Sequence, residues 1–423
     1  MLSILEKFSV FFALLWLLTF MGILPHWRRF FLAYAPNEEK RKIHLFLWLI
    51  SVVLLFFPQC SFLASAVNLL YAHHYFIRSR WSSLLRGMGA PGAMLFWLSG
   101  AAFLLELTRV MDPDAQGFAV RILQIDFALI MLSSGVSKFS SGYLQGEGME
   151  YGLVNPMWSY WPGFYRKFRA DHWVFKGMDH AAWLAQLTAG LLLLTPNGGI
   201  WGAFLIFVGF LFIATQVRLG FLCESVMLAA LLFIDPPSPN LGSVLDIPLS
   251  FYCFLRGLGL IGQWYNYFSR TSLPSFFQSA LDRFASLTGL MLWRVFTVDS
   301  INFIIQVRGE RDPSRFKQVA ESITLASLFS TLKYQPALFE DKLRRYARTF
   351  GKNEGIISFD YLSISKIEGR FKFDLVAEYS VDLVSGAVTE RVNSGALNPR
   401  IPHPSSIVHP CSAPGSYAPV RSF

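Results

Sequence analysis

The sequence predicts an all-α polytopic membrane domain of about 8–10 transmembrane helices, followed by a small C-terminal α+β domain outside the membrane. Three observations predict it. First, 53% of the residues are hydrophobic and only 15% are charged, against roughly 25% charged in a soluble domain. Second, apolar runs of helical length recur through the first 300 residues. One buried core accounts for one such run but not for a series. Third, the composition changes after Phe296, and many of the charges gather in residues 300–423.

The elements follow in order. A first span covers residues 10–24. It has no small-x-small cleavage site and runs into Met21-Gly22-Ile23-Leu24-Pro25, so it reads as a span and not as a removed leader. A basic loop with Arg28, Arg29, Lys40, Arg41 and Lys42 follows. Residues 44–77 form an apolar stretch too long for one span of roughly 20 residues. Pro58-Gln59-Cys60 divides it, which gives two spans with a turn at Pro58; the alternative is one kinked helix. Arg78, Arg80 and Arg86 close a second basic loop, and spans follow at 93–107 and 117–136.

Residues 138–180 are the longest connection, rich in Trp and Phe, and suit a cap lying on the membrane surface. Three more spans run over 181–195, 201–215 and 221–233, with Asp235-Pro236-Pro237-Ser238-Pro239 as a rigid exit. A further span covers 247–261. Residues 285–296 predict an interfacial helix or a shallow span. Within the surface domain, residues 301–307, 356–359 and 371–376 read as strands and 316–350 as helical. The tail from residue 395 is rich in Pro and Ser and too poor in apolar groups to form a core. The domains are therefore 1–298, 299–394 and 395–423.

Charge tests the layout. If the chain crosses once at each span, the loops after the first, third, fifth, seventh and ninth share one face and hold nearly all the loop Arg and Lys. The positive-inside rule makes that face cytoplasmic. The formal charge of +9 is scattered around the apolar segments, which fits anchoring to anionic lipid and not nucleic-acid binding. The partners implied are membrane lipids and other membrane subunits.

Candidate functional residues are few. Lys138 ends the fifth span, where a lysine either snorkels to the surface or is held in a polar site. In the second case it is a usable base at neutral pH. Asp126 lies 12 residues earlier, about 18 Å along a helix, which rules it out as a direct partner on the same helix. Glu147 and Glu150 are nearer. Glu106, Arg121, Asp126, Glu224 and Arg256 are charges inside apolar runs, and such residues face the protein interior and meet partners there. Arg121 and Asp126 are five apart, a poor spacing for a pair, so each is expected to reach another helix. The four Cys and eight His show no metal-ligand spacing, and no Gly-rich loop follows a strand. The sequence therefore assigns no metal and no cofactor. Cys223 and Cys253 read as small buried hydrophobes. Gly135 and Gly142 suit close contact at the Lys138 turn.

One stretch carries a resemblance. The run Ser134-Gly135-Val136-Ser137-Lys138-Phe139, then Tyr143-Leu144-Gln145-Gly146, Met149, Tyr151 and Asn155-Pro156, resembles the horizontally transferred transmembrane (HTTM) domain family. That family includes the vitamin K-dependent gamma-carboxylases. Arg218-Leu219-Gly220 through Asp235-Pro236, and Trp293-Arg294-Val295-Phe296 with Asp299, resemble later family segments. The resemblance covers residues 5–310. It implies a membrane fold of that class, and for Lys138 the position of the carboxylases' catalytic base. Residues 78–117 contain no His to match the carboxylases' catalytic His, so the fold carries over and the glutamyl carboxylation does not. Two readings remain. One is a non-catalytic subunit of a larger membrane complex. The other is a membrane enzyme acting on a quinone or lipid. A buried polar site around Lys138 favours the enzyme; Lys138 facing headgroups or a partner's carboxylate favours the subunit.

Overall fold

The computed structural model describes residues 3–24, 38–73, 91–140, 142–155, 158–217, 219, 221–239, 242–269, 273–290, 303–307, 344, 347 and 355–392. Helix α1, Ile4–Ile23, begins at a reciprocal cap: Ser3 Oγ accepts from Glu6 N–H while Glu6 Oε2 accepts from Ser3 N–H. The 44–77 stretch, described as far as residue 73, holds two helices, α2 (Glu38–Leu54) and α3 (Ser61–Ala72), joined by a turn at Pro58. Arg109 clamps that turn, since its Nη2 donates to Pro58 O at 2.9 Å and to Ser61 Oγ at 3.1 Å. Helices α4 (Pro91–Met111) and α5 (Gln116–Ser140) follow.

A cap comes next, with two short helices, α6 (Met149–Val154) and α7 (Pro162–Tyr165). Beyond it lie α8 (Trp173–Leu194), α9 (Gly199–Gln216), α10 (Leu222–Ala230) and α11 (Asp246–Ser269). Among the described residues four stretches are long and apolar enough to cross a membrane: Ile4–Met21, Ala93–Met111, Pro113–Phe139 and Gly199–Gln216. The protein is a multi-pass integral membrane protein. α9 shows why in one helix: Gly202, Ala203, Ile206 and Phe210 face inward, while Trp201, Phe204, Val208 and Leu211 are exposed on an apolar outer face. A hydrocarbon surrounding suits such a face.

The amphipathic helix α12 is Ser275–Thr288 and stops at Gly289, whose φ of +67° places it in the left-handed region that ends helices. Of the stretch 285–296, expected as an interfacial helix or a shallow span, residues 285–288 form the end of α12, which starts ten residues earlier, and residues 291–296 fall outside the described residues. Cys223 is buried as expected, and Cys253 is half-buried.

The surface domain shows a four-stranded antiparallel sheet in the order β1 (Phe303–Val307), β2 (Ile356–Ile367), β3 (Arg370–Asp382), β4 (Val388–Val392). All three strand expectations fall within it. The helical reading of 316–350 lies outside the described residues save Arg344 and Ala347, and the tail lies outside them entirely. β2 and β3 join through a two-residue turn with both φ positive, Glu368 at +51° and Gly369 at +74°, a geometry that matches the twist of a hairpin. The register shifts between Tyr361 and Leu362, where β3 holds one extra residue.

The hairpin tip rests on the cap. Ala170 N–H donates to Gly369 O at 2.8 Å. Phe371 stands edge-on to Phe175, and Arg166 lies 4.9 Å from the centre of the Phe373 ring. One buried core runs from Phe8, Trp16 and Trp48 in the helices through Tyr143 and Phe175 to Phe359 and Tyr379 in the sheet. Trp16 and Trp48 are wholly buried, and each indole N–H has a partner, Ser99 Oγ and Asn68 Oδ1.

Candidate functional site

Lys138 sits in the last turn of α5 and is 3% exposed. It does not snorkel. Its Nζ donates to Gln186 Oε1 of α8 at 2.8 Å and to Ser134 Oγ at 3.2 Å, and Ser134 Oγ donates to the same Gln186 oxygen at 2.7 Å. The two helices come this close because of reciprocal glycines. A Cβ at Gly135 would stand 2.6 Å from Leu187 Cγ, and one at Gly190 would stand 2.8 Å from Leu132 Cγ. Small residues on facing helices allow this approach inside a membrane.

Seven residues before Gln186, two turns up the same face of α8, is Asp179. It lies ahead of the apolar part of the helix and is wholly buried. Its Oδ1 accepts from Met149 N–H at 2.6 Å. Glu150, also wholly buried, accepts from Gly148 N–H at 2.7 Å and is ion-paired with Lys366 of β2. Lys366 also lies 5.1 Å from the centre of the Tyr151 ring. Burial first, and then the neighbouring Glu150, pushes the Asp179 carboxyl well above the usual carboxylate range. Burial likewise holds the Tyr143 hydroxyl well above its ordinary value, with Asp179 and Glu150 adding to the effect. Two acids and one lysine thus share a dry site where the sheet meets the cap.

A second charged site lies deeper. Asp126 of α5 and Arg256 of α11 are ion-paired at 2.7 Å, with side chains 8% and 5% exposed. Trp97 Nε1 of α4 donates to the other Asp126 oxygen at 2.8 Å. Arg256 Nη1 donates to Thr288 O at 3.1 Å and so caps the C-terminus of α12. A cavity of about 330 Å³ adjoins this pair.

Of the expected residues, Asp126 and Arg256 meet each other, which sequence spacing did not show. Glu106 finds its partners in Arg109, three residues on at 2.6 Å, and Ser61. Two expectations are corrected. The described contact of Arg121 is Gln124 on its own helix at 3.3 Å, and it is Gln124 that reaches across to Leu232 O. Glu224 is exposed in the first turn of α10 rather than turned inward, where a helix N-terminus suits a carboxylate. Glu147 is exposed, and Glu150 is taken by Lys366. Sequence reasoning missed Asp179, Gln186 and Lys366. The seven-residue spacing of Asp179 and Gln186 on an otherwise apolar helix was the available signal. Lys366 carried none, because its neighbour comes from 216 positions earlier. Among the described residues no three His, Cys, Asp or Glu are grouped to hold a metal ion.

No family model, no curated protein and no solved structure matches this chain.

Proposed function

We propose that this integral membrane protein is an enzyme acting on a membrane-soluble substrate of the quinone or lipid type, with Lys138 as base and an HTTM-like helical domain. One observation carries the reading: Lys138 is buried in a polar site between α5 and α8, not turned to headgroups. Gln186 Oε1 and Ser134 Oγ orient its nitrogen.

The subunit reading keeps one observation of its own. The charged groups at the cap are spent on fastening the sheet, through Glu150 and Lys366, as in a protein whose task is assembly.

The test starts with purification in mild detergent and mass spectrometry of everything that co-elutes. The protein is then reconstituted with a total lipid and quinone extract, and products are compared for the native chain and Lys138→Met. The enzyme reading expects a product that the native protein forms and Lys138→Met does not. Stoichiometric co-eluting chains, with identical lipid profiles for the two proteins, overturn it in favour of the subunit.

A further inference from the structure

The geometry points to a binding site for a single hydrocarbon chain with an uncharged polar end, in the cavity between α4, α5, α11 and the end of α12. The site is separate from Lys138 and does not depend on the role proposed for it.

The cavity holds about 330 Å³. That is near the lower limit of ligand pockets, which run from about 300 to 1,000 Å³. A dry apolar cavity of about 150 Å³ already admits benzene, so this one has room for a chain segment or a ring with substituents. Its wall is mostly apolar, with Phe96, Leu123, Leu260 and Leu290 among the lining residues. The polar groups lie together: Asp126, Arg256, Tyr252 and Trp97. A mostly apolar wall with a few grouped polar side chains is the usual make-up of a small-molecule site.

The charge balance selects the ligand. Asp126 and Arg256 neutralise each other at 2.7 Å. Both carboxylate oxygens accept hydrogen bonds, from Arg256 Nε and Trp97 Nε1. Two of the guanidinium nitrogens are engaged as well, Nε with Asp126 and Nη1 with Thr288 O. An ionic headgroup entering here adds a third charge beside a pair that is already neutral, and burying it costs far more than burying a hydroxyl. A hydroxyl or carbonyl meets the same polar edge without adding one. Access is lateral. Leu287 is 67% exposed and Tyr252 is 37% exposed, so these apolar and aromatic lining residues mark where the cavity opens to the outside of the bundle. A ligand dissolved in the bilayer reaches it without crossing water.

Gly100 provides the handle. It lines the cavity, and a Cβ built on it meets only Leu69 Cδ1, at 3.9 Å. A methyl group fits there without displacing a neighbour, and larger side chains at the same position are the means of filling the cavity.

The experiment uses the full-length protein in liposomes and a diazirine-bearing hexadecanol, with the labelled peptides mapped by mass spectrometry. Expected is saturable labelling of peptides that line the cavity, competed by unlabelled hexadecanol. Labelling should fall with side-chain volume through Gly100→Ala, Gly100→Val and Gly100→Leu, at least tenfold for the last, and Lys138→Met should leave it unchanged. Hexadecyl phosphate should compete at least tenfold less well than the alcohol. If Gly100→Leu does not fold, the Ala and Val variants still give the volume trend. Non-saturable labelling spread over the outer face of α9 means annular lipid only and overturns the site. A volume series without effect overturns it too, and equal competition by the phosphate overturns the neutral-ligand assignment. Intact cavity labelling with no Lys138-dependent product removes the proposed base and leaves this site standing.

Discussion

At the scale of single residues, the molecule places charges where water is absent and differs from site to site in how it balances them. Asp126 and Arg256 come close to one-to-one compensation. Removing one partner, as in Asp126→Asn or Arg256→Met, should cost about 3–5 kcal/mol, because the other is left buried alone. The double variant Asp126→Leu/Arg256→Met should recover most of that. Thermal unfolding of the purified protein in detergent reads both, and equal losses in the single and double variants rule the compensation out. Asp179, Glu150 and Lys366 are differently balanced, with two acids to one base. Since the folded-state value of Asp179 is raised, its contribution to stability is full below its unfolded value, near 4 for a free Asp side chain. It is lost as pH rises through the raised value. The docked sheet should therefore be held more tightly at pH 6 than at pH 9. Hydrogen exchange over residues 356–382 should show this difference, and Asp179→Asn should flatten it.

At the scale of elements, the α5–α8 pair decides whether the lysine site exists. Gly135 lies against the Leu187 side chain, and its Cβ position is also 2.9 Å from the Leu187 backbone nitrogen. Backbone gives way less readily than a flexible side chain. Gly135→Val should push the helices apart, break the Lys138–Gln186 bond and destabilise the protein by about 1–3 kcal/mol or more. The companion change Gln186→Ala should expose Lys138 to amine-reactive labelling while costing less stability. The break at Pro58, the fifth span and the strands were legible because apolar runs and Pro position are local signals. The end of α12 was not read correctly, because an amphipathic helix of mixed composition, 275–288, has no long apolar run to mark it. The glycine at 289 was the overlooked stop. Lys138 was found as a span-end lysine, but its burial depends on Gln186, and no periodicity joins positions 48 residues apart.

At the scale of the whole molecule, contacts between loops fix which segments share a face. The cap touches the C-terminal end of α9, where Tyr160 N–H meets Gln216 O at 3.0 Å and Trp161 Nε1 meets Thr215 O at 3.0 Å. It also touches the sheet, through Ala170 and Gly369. On the other face, Ser243 Oγ donates to Asp112 at 2.5 Å, and Arg109 holds Pro58. Between the cap and the sheet the chain must therefore cross an even number of times. The contacts place the start of α8, the end of α9 and the sheet on the cap side and Ser243 on the other, so the chain alternates across α8, α9, the segment 221–239 and α11. The cap and the loop after α9 thus share a face, as the basic-loop count implied, while residues 25–37 and 74–90, which hold Arg28, Arg29, Arg78, Arg80 and Arg86 of the first two basic loops, lie outside the described residues. With the native cysteines replaced, Asp171→Cys and Asn197→Cys should react with an impermeant maleimide from opposite sides of sealed vesicles. Labelling of both from one side excludes the arrangement.

The Asp126–Arg256 pair also sets a timetable for biogenesis. The two residues are 130 positions apart. At about 5–20 residues per second, translation makes α5 roughly 7–26 seconds before the arginine exists. During that interval a helix with a carboxylate among apolar residues must wait at the membrane, where an unpaired Asp opposes insertion by about 2.5–3.5 kcal/mol. The ion pair closes only when α11 arrives. A chain truncated between α5 and α11 should therefore be recognised by quality-control proteases as an orphan, although every helix before the cut is intact.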